Sequence, residues 1–213
     1  MMPAFDLTIA VLDWLGVIVF AATGALVASR KSMDIVGFVL LGTVTGIGGG
    51  TIRDVLLGSY PILWVGQPGY LAACAAVSVV VFFTAHLLHS RYRLLLWFDA
   101  MGLAIFAVAG AEKGLLLGAS PLVAVTVGVI SATFGGIIRD VLGDEPSVIL
   151  RPEVYVTAAL VAAMVFIAAS LLAVPRDIAV VIGVLAGLLV RGGALLRGWT
   201  LPRYRARPGR NED

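Results

Sequence analysis

Apolar residues run along this chain in blocks long enough to cross a bilayer, and the polar positions collect between them. Stretches of about 18 or more such residues, enough for a helix to span roughly 30 Å of hydrocarbon, lie at 10–29, 35–51, 69–88, 94–111, 121–138, 154–174 and 178–196. The pattern predicts seven transmembrane helices. Little chain remains for a soluble domain, so the expected core is the helical bundle itself.

The pattern also repeats. A shift of 86 residues (99 − 13 = 86) lays "DWLGVIVFAATGA", from Asp13, on "DAMGLAIFAVAGA", from Asp99. It pairs Asp13 with Asp99, Gly16 with Gly102, Phe20 with Phe106 and Gly24 with Gly110. The same shift lays Gly49, Gly50, Ile52, Arg53, Asp54, Val55 and Leu56 on Gly135, Gly136, Ile138, Arg139, Asp140, Val141 and Leu142. After one deletion Pro61 meets Pro146 and Tyr70 meets Tyr155. A register held this long points to duplication. Each copy contains three spans, an odd number, so the second enters the membrane upside down relative to the first. The expected fold class is therefore all-α and integral to the membrane. Two inverted three-helix repeats, residues 8–90 and 94–174, are joined by an unpaired seventh helix at 178–196 and a basic tail at 197–213. Inverted repeats are a transporter architecture, and the site tends to lie where both copies carry interrupted helices.

Composition agrees, with 60% hydrophobic and 13% charged residues and a mean hydropathy of +1.03. The single cysteine, Cys74, has no partner for an intrachain disulfide. The leading "MMPAFDL" lacks a basic n-region, so the first span reads as retained and not as a signal peptide. The formal charge of +2 is small, and its distribution says more. Seven spans put Arg30, Lys31, Arg91, Arg93, Arg139, Arg151, Arg191, Arg197, Arg203, Arg205, Arg207 and Arg210 on one side, and only Arg53, Lys113 and Arg176 on the other. The positive-inside rule then predicts a cytoplasmic C-terminus and an external N-terminus. The tail "RGWTLPRYRARPGRNED" is expected to meet anionic membrane lipid, with no nucleic acid as partner.

Candidate chemistry gathers in "GIGGGTIRDVLLG", Gly46 to Gly58, and its second copy "FGGIIRDVLGDEP", from Phe134. At 1.5 Å per residue Gly48 lies about 20 Å into the second span. The apolar run continues through "VLLGSYPILWV", too long for one straight helix. A kink or unwinding at Gly48, Gly49 and Gly50, and at Gly135 and Gly136, is the economical solution, because each helical glycine costs up to about 1 kcal/mol relative to alanine. Carbonyls freed there would attract cations. The expectation is a polar constriction with Arg53, Asp54, Arg139 and Asp140 at its rim and the hydroxyls of Thr45, Thr51, Ser131 and Thr133 beside it. Close helix packing is the competing reading, since Gly42, Gly46 and Gly50, like Gly128, Ala132 and Gly136, stand four apart. Packing is expected at Gly42, Gly46, Gly128 and Ala132, and a break at Gly48 to Gly50.

Neighbouring residues on a helix point about 100° apart, so Arg53 and Asp54 each require a partner elsewhere, as do Arg139 and Asp140. Pairing between repeats, or donation to freed carbonyls, is expected. Asp13 and Asp99 read as helix-start residues complementing the dipole, with a role in the pathway as the alternative. Glu112 and Lys113 read as an interfacial pair, with Lys113 lining a vestibule as the alternative. His86 and His89 lack a third ligand, which argues against a metal site. Trp14, Trp64, Trp97 and Trp199 read as belt anchors. A potassium-type filter needs four equivalent loops, and "GIGGGT" is neither a P-loop nor a dinucleotide fingerprint. No nucleophile, base and acid set is present, so neither an enzyme nor a cofactor is expected.

Paired three-span repeats, each with a Gly-Gly-x-x-Arg-Asp signature, plus a seventh helix resemble the prokaryotic trimeric intracellular cation (TRIC) channel family over about residues 8–196. The same signature also carries a bacterial glycine-transporter label. The resemblance implies a homotrimer in a bacterial inner membrane, with one hourglass pore per subunit for monovalent cations, chiefly K⁺, and a constriction at kinked second and fifth helices. By motif it assigns the kinks to Gly48, Gly49, Gly50, Gly135 and Gly136, and the surrounding polar groups to Arg53, Asp54, Arg139 and Asp140. Phe134 stands where the first copy has Gly48, so the two constrictions need not be equivalent. The alternative is a carrier for glycine or another small amino acid, whose carboxylate would sit on Arg53, on Arg139 or at a half-helix N-terminus.

Overall fold

The structure is a computed structural model that describes residues 7–88, 90–148 and 153–202. His89, Arg151, Arg203, Arg205, Arg207 and Arg210 lie outside the described residues. The chain folds as α1 (Leu7–Arg30), α2 (Ile35–Leu56), α3 (Leu63–Gly66), α4 (Gly69–Thr84), α5 (Arg91–Leu116), α6 (Pro121–Leu142), α7 (Val156–Leu171) and α8 (Arg176–Arg197). A 3₁₀ turn, Ala85–Leu87, extends α4. Among the described residues six helices are long and apolar enough to cross a membrane, α4 being counted with its 3₁₀ turn. The sixth expected span is α7, which is apolar but has 16 residues. The one-turn α3 was not expected from the pattern.

Local chemistry sets the helix ends. The Asp34 carboxylate accepts the Gly37 N–H at 2.7 Å and caps α2. Pro121 opens α6 with its φ already helical. Gly198, with φ 67°, closes α8 in the left-handed region, where its own N–H and that of Trp199 return to the Ala194 carbonyl at 2.8 and 3.2 Å.

Helices α1 and α5 form the centre, and they meet through the residues that the repeat equates. The Phe20 and Phe106 rings lie 5.3 Å apart. Phe106 covers Gly16, where a Cβ would come within 2.9 Å of the ring, and Phe20 covers Gly102 in the same way. Helices α2 and α6 cross with equal reciprocity. A Cβ on Gly49 would overlap the Ser131 carbonyl oxygen, and one on Gly135 would lie 2.9 Å from the Thr45 carbonyl oxygen. Two such reciprocal contacts are what a two-fold relation between the copies produces.

The loops after α2 and α6 lie at opposite ends of the bundle. At one end Arg30 meets Glu145 at 3.3 Å and Lys31 Nζ donates to the Asp144 carbonyl at 2.8 Å. At the other, Thr8 donates to Asp177 at 3.4 Å and Arg176 pairs with Glu112.

The glycine run does not break its helix. Helix α2 is continuous through Gly48, Gly49 and Gly50, and α6 through Gly135 and Gly136, so the expected unwinding and its freed carbonyls are absent. The physical reason is close packing: backbone from the facing helix occupies the place of a side chain at Gly49 and Gly135, and the side chains of Ile138 and Tyr155 press on Gly48 and Gly136. The surplus apolar chain after Arg53 is taken up by a turn at Gly58, with φ 61°, and then by α3. Asp144 holds the equivalent left-handed position after α6, with φ 49°.

Alanine scanning of the run separates packing from flexibility. Gly49→Ala is expected to destabilise by about 1–3 kcal/mol, the usual cost of overpacking against a backbone. Gly50→Ala faces only the movable end of Leu63, 3.2 Å away, and is expected to be neutral or stabilising. Thermal unfolding in detergent reads the difference; equal effects at both positions would contradict the packing account.

Candidate functional site

The last turn of α2 carries Arg53 and Asp54, and both are fully buried. Arg53 Nη1 and Nη2 donate to the two oxygens of Asp13, on α1, at 2.5 and 3.0 Å. Its Nε donates to Asp54 Oδ1 at 2.9 Å. The fork thus meets one carboxylate with two nitrogens and a second with the third. Asp54 does more than pair: its Oδ2 accepts the Leu63 N–H at 2.8 Å, and its Oδ1 accepts from Lys113 Nζ, on α5, at 2.8 Å. Two carboxylates and two cations make a neutral cluster that also holds the first residue of α3.

The second copy builds the same device. Arg139 Nη1 donates to Asp99 Oδ1 at 2.7 Å, while Nε and Nη2 donate to Asp140 Oδ1 at 3.0 and 2.8 Å. Asp140 Oδ2 accepts the Val148 N–H at 2.9 Å, matching the bond from Leu63 to Asp54. The Tyr155 hydroxyl donates to Asp99 Oδ1 at 3.5 Å, and the buried Arg191 of α8 lies 5.2 Å over the Tyr155 ring. Arg191 Nη2 in turn donates to Glu153 at 2.7 Å.

Several expectations change. The arginines pair within their own repeat and not across the two-fold, and the neighbouring aspartate joins in because the long Arg side chain folds back onto it. Asp13 and Asp99 are not helix-start residues; they lie inside α1 and α5 as the principal partners of the arginines. Glu112 and Lys113 do not pair with each other, since Glu112 meets Arg176 and Lys113 crosses between repeats to Asp54. The hydroxyls of Thr45, Thr51 and Thr133 bond back to the carbonyls of Leu41, Ile47 and Val129 in their own helices. Ser131 alone among the four reaches across, donating to the Gly49 carbonyl at 3.3 Å. Trp64 donates to Thr51 at 3.0 Å and Trp14 stacks on Tyr70 at 4.2 Å, so neither is only a belt anchor. Phe134 is half-buried on α6. Sequence reasoning missed Arg191, which it counted as a loop charge, and Tyr155, whose match with Tyr70 in the repeat was the available signal.

Chemically, each guanidinium faces two carboxylates, which Lys113 brings to neutrality in the first cluster. A cation nearby meets no unpaired arginine, and a substrate carboxylate finds the arginine fork already filled.

The family described as Glycine transporter matches residues 10–86 and again 96–171, once for each copy of the repeat. The UPF0126 inner membrane protein YadS of Escherichia coli strain K12 is 40% identical over 198 residues, 91% of this chain and 94% of that protein. The solved TRIC trimeric intracellular cation channel orthologue from Rhodobacter sphaeroides is 55% identical, with a TM-score of 0.87 over 90% of this chain and 98% of that one. A second solved structure, of a TRIC cation channel, is 34% identical with a TM-score of 0.82, covering 97% of this chain and 100% of that one.

Removing one partner of a buried ion pair typically costs about 3–5 kcal/mol. Asp13→Ala is expected to lose stability in that range, and Asp99→Ala to lose less, because Asp13 holds two nitrogens of its arginine and Asp99 one. Denaturation of the two variants side by side checks the order; Asp99→Ala as the more damaging change would contradict it.

Proposed function

We propose that this chain, which belongs to the family described as Glycine transporter, is a channel for monovalent cations, chiefly K⁺, working as a homotrimer with one pore in each subunit. The observation that carries the reading is the neutralisation of Arg53 and Arg139. An exposed arginine would repel cations from a path beside it, and here two aspartates compensate each one. The likeness to solved TRIC cation channels supports the same conclusion. The reading takes the six long helices and the shorter α7 as two inverted repeats, residues 8–90 and 94–174, plus a seventh helix, with the C-terminus in the cytoplasm and the basic tail on anionic lipid. It places the constriction where α2 and α6 cross, at Gly48, Gly49 and Gly50 against Ser131, Gly135 and Gly136. In this conformation the two backbones touch there, so conduction requires them to part, and the side chains of Arg53, Asp54, Arg139 and Asp140 act as the polar ends that hold or release them.

A glycine carrier is the second reading, favoured by the description of the family. Against it, neither motif arginine offers a free fork to a substrate carboxylate.

Single-channel recording of the purified protein in a planar bilayer, in asymmetric KCl with glycine then added, distinguishes the two. Discrete K⁺-selective steps indifferent to glycine are expected; a silent bilayer together with glycine uptake into liposomes would establish the carrier. Arg53→Ala and Arg139→Ala are each expected to change the unitary current or open time while the oligomer stays intact by size. Full activity in both variants would remove the arginines from the mechanism.

A further inference from the structure

The two charge clusters are built alike except for one ammonium. In the first, Lys113 supplies it, reaching Asp54 Oδ1 at 2.8 Å from the far part of α5. The repeat shift carries Lys113 to position 27 (113 − 86 = 27), in the far part of α1, and Val27 stands there. By the two-fold relation position 27 should face the second cluster, and it does. Val27 is buried, and with Asp99, Arg139 and Asp140 it lines a cavity of about 10 Å³, room for one water-sized sphere. The place filled by an ammonium in one copy is a small cavity in the other.

Charge counting gives the same result. Asp13 and Asp54 balance Arg53 and Lys113 in the first cluster. In the second, among the described residues, Asp99, Asp140 and Glu145 face Arg139 and Arg30, one carboxylate more than the cations that pair with them. The other described cations nearby are engaged elsewhere: Lys31 pairs with Asp144 at 3.9 Å, Arg191 with Glu153 at 2.7 Å, and Arg91 donates to the Ser29 hydroxyl at 3.0 Å. Asp99 is fully buried, and among the described residues its Oδ2 accepts from no group, whereas both oxygens of Asp13 are taken. A buried carboxylate oxygen left in this way is costly, and an apolar valine cannot relieve it.

We propose that the second cluster is a binding site for one monovalent cation, which occupies the place of the missing ammonium beside Val27 with Asp99 Oδ2 as its principal ligand. Carboxylate oxygens suit a hard cation. A single uncompensated charge calls for one positive charge and not two, and a K⁺ ion is about the size the cavity admits. The inference rests on the channel reading for its role, as a resting place for the permeant ion at one end of the pathway. Binding itself is measurable without conduction.

The test is thermal unfolding of the purified full-length protein in detergent, with KCl exchanged for choline chloride at constant ionic strength. The wild type is expected to gain about 3–6 °C when K⁺ reaches ten times its dissociation constant, and to rise further with the logarithm of K⁺ concentration. Val27→Lys carries its own ammonium into the cavity, so it is expected to be more stable in choline and to lose the K⁺ response. Asp99→Asn neutralises the site without adding bulk and is expected to lose the response as well. A wild-type midpoint that is the same in K⁺ and choline, or a full response kept by Val27→Lys or by Asp99→Asn, would overturn the site. Conduction with no K⁺-dependent stabilisation would sink the site and leave the channel reading standing. A response that Val27→Lys abolishes, in a protein that does not conduct, would keep the site and remove the channel.

Discussion

A guanidinium cannot be left unpaired inside an apolar bundle, and much of this structure follows from meeting that demand twice. Arg53 ends α2 at a depth where water does not reach it, so Asp13 and Asp54 must be brought to it. Bringing Asp13 fixes α1 against α2. Bringing Asp54 leaves one carboxylate oxygen over, and that oxygen takes the Leu63 N–H and so folds the loop back toward the bundle as α3. Arg139 imposes the same sequence of consequences on α5, α6 and Val148. The charges are therefore structural at every position and still stand where a conduction pathway would need its polar ends.

Between these two anchored ends the helices approach more closely than side chains permit. The contact of Gly49 with the Ser131 carbonyl, and of Gly135 with that of Thr45, brings α2 and α6 together at backbone distance. Among the described residues one side-chain hydrogen bond, from Ser131 to Gly49, crosses the seam. A seam held by glycine contacts and one neutral hydrogen bond, with buried ion pairs at either end, is weak in the middle and strong at its limits. Such a build suits an element with two states, and in the proposed channel the crossing is where the helices separate.

The sequence was most informative where a physical pattern was repeated. Span length and hydropathy located the long helices, and the duplicated register named the residue pairs that meet at the centre, Phe20 with Phe106 over Gly16 and Gly102. The unwinding expected at the glycine run does not occur, because its local cost in helix propensity is visible in the sequence, whereas the tertiary contact that offsets it is not. The pairing of Asp13 with Arg53 was hidden for a related reason: a residue near a helix start has a ready local explanation. A signal existed, since the same 40-residue spacing recurs between Asp99 and Arg139. Arg191 and Lys113 were assigned to ends and loops by charge alone, and only packing shows that one reaches Tyr155 and the other Asp54.

Compensation of the arginines is the centre of this account, and the reversal potential under a KCl gradient tests it most directly. The wild type is predicted to reverse near the K⁺ equilibrium potential. Asp54→Asn, which leaves Arg53 and Lys113 in excess, is predicted to move the reversal toward that of chloride. A wild type that reverses at the chloride potential, or a variant with unchanged selectivity, would contradict the claim that these carboxylates make the pathway fit for cations.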